Sequence, residues 1–186
     1  MYKSEFEKAI IRSQKLGLSI PEIKNTNQRY LNEKVQSELH HYIRDKLGVL
    51  HETEIIAQCL ALNVRLKSVF SEYFNCPVYY TIGYVDITGD SLFKQTEESL
   101  KSMLINGIDG SPIKLHAWLT LPSMEILDFS IATTYGKVKG NQELMGMAIA
   151  LHYTELTKGV VFHPMLIGED FIHKIGGVKL IVSNGI

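Results

Sequence analysis

Apolar positions in the first half of the chain recur at helical spacing. From about Ser4 to Leu16, Phe6, Ala9, Ile10 and Ser13 form one stripe, and Gly17 ends it. A second helix is predicted from about Thr26 to Leu47. Its stripe is Leu31, Val35, Leu39, Tyr42, Ile43 and Leu47, with Gly48 at the position just past the end. A third periodic segment covers roughly Ile55 to Phe74, with Ile56, Leu60, Asn63, Val64, Lys67 and Phe70 on adjoining rows. Asn75-Cys76-Pro77 closes it, because a residue before proline is pushed out of the helical region.

The second half changes character. Val78 to Ile87 is rich in β-branched and aromatic residues and predicts a strand, followed by a turn at Thr88-Gly89-Asp90. Ser91 to Ile105 reads as an amphipathic helix with Leu92, Leu100, Met103 and Leu104 on its apolar side. Residues 106–112 form a loop. Ile113 to Leu121 and Met124 to Phe129 are strands joined at Pro122-Ser123. Further on, the pattern predicts a helix at Gln142–Leu151 and strands at Val160–Phe162 and Val178–Val182. Helices followed by strands predict an α+β fold, with the N-terminal helices packed on an antiparallel sheet. A length of 186 residues predicts one domain over 1–186.

Composition narrows the functional classes. Nineteen Lys and Arg against 20 Asp and Glu give a net charge of -1, with no long block of one sign. That balance argues against a basic nucleic-acid binder and against an electrostatic membrane anchor. No apolar run approaches the roughly 18–20 residues of a spanning helix. The opening Met-Tyr-Lys-Ser-Glu-Phe-Glu-Lys has acids where a signal peptide has its basic region. Two cysteines make no disulfide framework, so the expected compartment is a reducing, cytoplasmic one. Export that needs no cleaved signal is compatible with the same sequence.

Three residues attract chemistry: Cys59, His116 and Asp128. If the regular helix begins near Gln58, the positive end of its dipole faces the sulfur of Cys59 and favours the nucleophilic thiolate. The plainer reading is a buried cysteine acting as a small hydrophobe. His116 lies in a strand. Asp128 interrupts the apolar run Ile126-Leu127-Asp128-Phe129, where a carboxylate is costly unless paired. A short hairpin joins the two strands, so a histidine on the neighbouring strand is its natural partner. Thiol, imidazole and carboxylate are the parts of a triad: nucleophile, acid/base and orienter. The oxyanion hole would use the backbone N–H of Cys59 and a second donor, for which Gln58 is the candidate by proximity.

Gln58-Cys59-Leu-Ala-Leu-Asn63, continuing through Phe70 to Asn75-Cys76-Pro77 and the strand with Gly83-Tyr84-Val85, resembles the transglutaminase-like core. There a cysteine opens a helix and a strand follows. His116-Ala117-Trp118 and the segment up to Asp128 are similar to that family's second and third motifs. The resemblance covers about residues 55–130. It implies a papain-like fold and cysteine-dependent acyl transfer or hydrolysis of an amide or thioester, through a thioester on Cys59. The implied substrate is a protein, a peptide or a small amide, and neither a metal nor an organic cofactor is required. Two departures are visible. Ala57-Gln58 stands where many members have a glycine, and Ile126-Leu127 where many have a tryptophan. A catalytically silent copy of the fold, used as a protein-interaction module, is the alternative.

Hairpin register decides between Asp128 and its rival Glu125, because side chains alternate along a strand. A two-residue loop at Pro122-Ser123 pairs Leu121 with Met124 and puts Glu125 on the face of His116. A three-residue loop puts Asp128 on that face. The apolar pattern favours the odd loop, with an Asp128 oxygen about 2.6–3.2 Å from a His116 nitrogen. His40-His41 and His51 do not form a chelate, since adjacent helical histidines point about 100° apart. Cys59 and Cys76 fit no zinc spacing. Gly136 to Gly140 reads as an exposed turn. Trp118 is a core residue beside the site or a wall of an acyl pocket. His163-Pro164 and Glu169-Asp170 carry no assigned role.

Overall fold

The computed structural model describes residues 2–108 and 113–176. In chain order the helices are α1 (Tyr2–Lys15), α2 (Glu33–Leu47), α3 (Glu52–Ile55), α4 (Cys59–Phe74), α5 (Glu97–Asn106), α6 (Ile131–Lys139) and α7 (Asp170–Lys174). The strands are β1 (Tyr79–Ile87), β2 (Asp90–Leu92), β3 (His116–Thr120), β4 (Glu125–Asp128), β5 (Ile149–His152) and β6 (Val160–Ile167). The fold class is α+β with antiparallel strand pairing. The described residues cluster into two units: one within 2–22, 81–108, 113–117 and 157–176, the other from 23–80 and 118–156. Among the described residues no helix is long and apolar enough to cross a membrane.

In the first unit, α1 packs on β6. Its buried stripe is Tyr2, Phe6, Ala9 and Ser13. Ser13 Oγ accepts the backbone N–H of Ile167 at 2.9 Å, and the Arg12 guanidinium donates to Met165 O at 2.9 Å. Strand β1 pairs antiparallel with β6 from Thr81↔Ile167 to Ile87↔Val160, and with β2 through Val85↔Leu92. The β1–β2 turn is the two-residue kind with both residues left-handed, Thr88 at φ 49° and Gly89 at φ 96°. Gly168 has φ +93°, and a Cβ there would lie 3.2 Å from Ser19 O, so the tight passage into α7 requires glycine. Phe6, Ile82, Val85, Leu100, Phe162 and Phe171 form the core.

In the second unit, Leu39, Leu62, Leu66, Phe70, Leu119 and Leu127 are buried together with Trp118, which is fully buried. Strand β4 lies between β3 and β5, paired through Leu119↔Leu127 and through Glu125↔His152 to Asp128↔Ile149. The β3–β4 loop has three residues, Pro122, Ser123 and Met124. Leu121 N–H donates to Glu125 O at 2.9 Å, and Met124, at φ 67°, donates to Leu121 O at 2.8 Å. That is the hairpin geometry of a turn followed by one left-handed residue, usually glycine. The odd loop expected from the apolar pattern is therefore present.

Other expectations are corrected. Helix α2 starts at Glu33, not near Thr26, because the preceding segment straps the hairpin. Thr26 N–H donates to Pro122 O, and the N–H groups of Tyr30 and Leu31 go to the Glu125 carboxylate. Asn32 then caps α2 through Val35 N at 3.0 Å. The predicted helix Ser91–Ile105 begins only at Glu97, where Thr96 caps it, because Asp90–Leu92 pairs with β1. The predicted helix Gln142–Leu151 is instead a single 3-10 turn, Gln142–Leu144, followed by β5, whose ladder with β4 outweighs local propensity. Gly136 is not in an exposed turn but buried within α6. A Cβ there would lie 2.8 Å from Asn141 O and 2.9 Å from Leu144 Cβ. The strand at Val160 runs on to Ile167. The strand predicted at Val178–Val182 lies outside the described residues.

Candidate functional site

Cys59 is the first residue of α4, a helix of 16 residues. The third periodic segment, expected from about Ile55, is thus helical only from Cys59, with residues 56–58 breaking it from the short α3 that precedes it. The break is made by Ala57, which takes the left-handed φ of 55° at which a Cβ is strained. Its N–H donates to Thr134 Oγ1 on α6 at 3.2 Å. Glu54 fixes the short α3. One oxygen accepts His51 N–H at 3.1 Å, and the other pairs with Arg65 of α4 at 2.9 Å. Those two partners, the backbone N–H first, hold the Glu54 carboxyl below its ordinary 4.5. The first turn of α4 is tied from two sides. Asn63 Nδ2 donates to Cys59 O at 2.8 Å, and the Tyr80 hydroxyl donates to Leu60 O at 3.0 Å. Cys59 is 5% exposed. Gln58 is the residue capping α4, and its side chain makes no capping bond.

Asp128 ends β4 and is fully buried. Its Oδ1 accepts three hydrogen bonds, from Ser130 N at 2.9 Å, Ser130 Oγ at 2.9 Å and Ile131 N at 3.0 Å. The carboxylate therefore also starts α6, satisfying N–H groups that a helix start leaves without intrahelical partners. The β3–β4 register pairs Leu119 with Leu127 and Thr120 with Ile126, so by alternation Asp128 lies on the face of Ile126. Phe129, next along, packs its ring on Phe70 of α4 with centroids 5.4 Å apart. The second unit thus packs α4 on the residue after Asp128 through Phe70–Phe129, and bonds the break before Cys59 to α6 through Ala57–Thr134.

Glu125 is committed elsewhere. It is fully buried, and its Oε1 accepts Leu31 N–H at 2.8 Å. Its Oε2 accepts Tyr30 N–H at 2.9 Å and the Ser123 hydroxyl. It clamps the 26–32 strap onto the hairpin. The sequence signal for this was a carboxylate beside a turn serine, without any sign of which backbone it would bind.

His116 is described with the first unit, buried at 1% exposure. The ring of Phe93 stacks on it with centroids 5.6 Å apart and planes 21° from parallel. Phe93 itself has φ 64°, a left-handed backbone unusual for an aromatic residue. No periodicity in the sequence marks Phe93, because the residue serves one stacking contact.

Burial pushes the Cys76 thiol up. Tyr30 partly offsets this, and the Glu125 charge adds to it. His163 is clamped in the first unit between Glu5 Oε2 at 3.0 Å and Asp86 Oδ2 at 3.1 Å, and stacks on Tyr84 at 4.4 Å. Asp170 accepts Ser19 N–H at 2.7 Å and pairs with Lys174 at 2.8 Å. These two residues of the tail act as ties between elements. Among the described residues no group of three or more His, Cys, Asp or Glu is arranged to hold a metal ion. No protein-family model, curated protein or solved structure matches the chain.

Proposed function

We propose that the chain is a cysteine-dependent acyltransferase or hydrolase with Cys59 as nucleophile, His116 as acid/base and Asp128 as the residue that orients it. The observation carrying this reading is that, within one unit, the break before Cys59 is bonded to α6, the helix that Asp128 starts, while α4 packs Phe70 on Phe129, the residue after Asp128. A thiol on the first turn of a long helix is favoured as thiolate. A carboxylate whose Oδ1 is held by three donors keeps Oδ2 in a fixed direction. The reading assigns Oδ2 to the His116 ring.

The thiolate adds to the carbonyl carbon of an amide or thioester. His116 gives its proton to the departing amine or thiol as that bond breaks, leaving the acyl group as a thioester on Cys59. A water or an amine then attacks the thioester and yields its proton to His116, and the sulfur leaves as thiolate. The backbone N–H of Cys59 takes the oxyanion charge in both halves.

A second reading, a silent fold used as a protein-interaction module, is favoured by the 5% exposure of Cys59. Incubation with p-nitrophenyl acetate separates the two. The enzymatic reading expects a burst of p-nitrophenol and one acetyl group on Cys59 by peptide mass spectrometry, with both lost in His116→Ala. A folded wild-type chain with no adduct on Cys59 supports the silent fold.

A further inference from the structure

In the second unit, a cavity of about 320 Å³ opens beside the C-terminal half of α2. Its body is apolar, lined by Ile43, Val49, Leu50, Ile55 and Phe129. The size falls at the lower end of small-molecule sites, roughly 300–1,000 Å³. Val49 is 68% exposed, an apolar side chain left to water at the mouth. The polar lining comes from His40, His41 and Arg44. The His40 ring packs on Phe129 at 5.6 Å and so extends the apolar wall. The Arg44 guanidinium donates to His41 Nδ1 at 3.1 Å, so His41 accepts there and carries its ring proton on Nε2. Arg44 has no carboxylate partner among the described residues. The lining therefore presents one permanent positive charge beside an apolar pocket.

We propose that this cavity binds an apolar monocarboxylate, with its chain or ring against Ile43, Ile55 and Phe129 and its carboxylate on Arg44. One planar guanidinium matches the two oxygens of one carboxylate. A dianionic phosphate would meet a single permanent cation there. The site needs neither Cys59 nor His116, so it stands or falls apart from the catalytic reading.

Titration calorimetry with decanoate tests it, with decanol, decyl phosphate and decyltrimethylammonium as comparisons. Decanoate should bind at one site per chain, more tightly than the other three. Arg44→Gln, at an exposed position, should weaken decanoate at least about tenfold, in line with a lost charge-assisted hydrogen bond. It should leave decanol unchanged. Val49→Asp should weaken decanoate and decanol together. Equal binding of decanoate by Arg44→Gln, tighter binding of decyl phosphate, or no binding by the folded wild-type chain would each overturn the proposal. So would concentration-dependent dimerisation abolished by Val49→Asp without decanoate binding, which would make a second copy the occupant.

Discussion

Ala57 donates its backbone N–H to Thr134 Oγ1 across 3.2 Å, and so fastens the break before Cys59 to the helix that Asp128 starts. The geometry requires Ala57 to hold φ 55°, at a cost of about 1–2 kcal/mol for a residue with a Cβ. Ala57→Gly should therefore stabilise the chain by roughly 0.5–1 kcal/mol, after the unfolded-state entropy of glycine is subtracted. Urea unfolding reads this directly. A destabilised variant would mean that Ala57 contributes packing that outweighs its strain.

Glu125 holds two backbone N–H groups and a hydroxyl in a fully buried place. Glu125→Ala strands both N–H groups and should cost about 3 kcal/mol or more. Glu125→Gln keeps one acceptor oxygen and should cost less. Because the residue is assigned to the strap and not to the triad, Glu125→Gln should alkylate at Cys59 at the wild-type rate. A tenfold slower rate in a folded Glu125→Gln chain would restore Glu125 as the rival of Asp128.

Phe93 is a positioning residue in the proposed mechanism, since it touches the His116 ring and no reacting atom. Phe93→Leu should lower the p-nitrophenol burst rate about tenfold and shift the pH profile of that rate, with little change in melting temperature. A variant that loses stability but keeps the wild-type profile would reduce Phe93 to a packing role.

Burial, and then the Arg29 charge, holds His152 below its ordinary 6.5. Between that lowered value and 6.5 the unfolded chain binds the extra proton, so stability rises with pH there. The contribution is fully present above about pH 6.5 and is lost as pH falls below it. His152→Gln should flatten this part of the stability curve, measured by urea midpoints at about pH 7.5 and about pH 5.5. Equal losses in wild type and variant would contradict the assignment.

The sequence exposed those features that repeat or that violate a pattern. The stripe of α1 was legible because the helix buries one face, and β1 because its β-branched and aromatic run is almost wholly buried; in α4 only Asn63 and Phe70 of the expected stripe are buried, because the helix starts at Cys59 and turns Leu62, Leu66 and Val69 inward. Asp128 was legible because a carboxylate in an apolar run needs partners, and the odd hairpin loop because only that parity puts the carboxylate on the face of His116, its expected partner. The 26–32 strap was not legible. Its hydrogen bonds go to Glu125 and Pro122, nearly a hundred residues away, while Leu31 and Val35 imitate a helix. Strand β5 was missed for a similar reason, since its order comes from the β4 ladder. Phe93 and the Arg44 cavity leave no local signal, as each depends on one long-range placement.

The central claim is that Cys59, and not Cys76, is the activated thiol. Cys76 has its thiol pushed up by burial and precedes a proline at a helix end. Brief iodoacetamide treatment of the native chain at about pH 6, with peptide mass spectrometry, compares the two thiols in one sample. The account predicts label on Cys59 first and almost none on Cys76. Label on Cys76 first, or on Cys59 only as pH approaches that of an ordinary thiol, about 8.5, would contradict it.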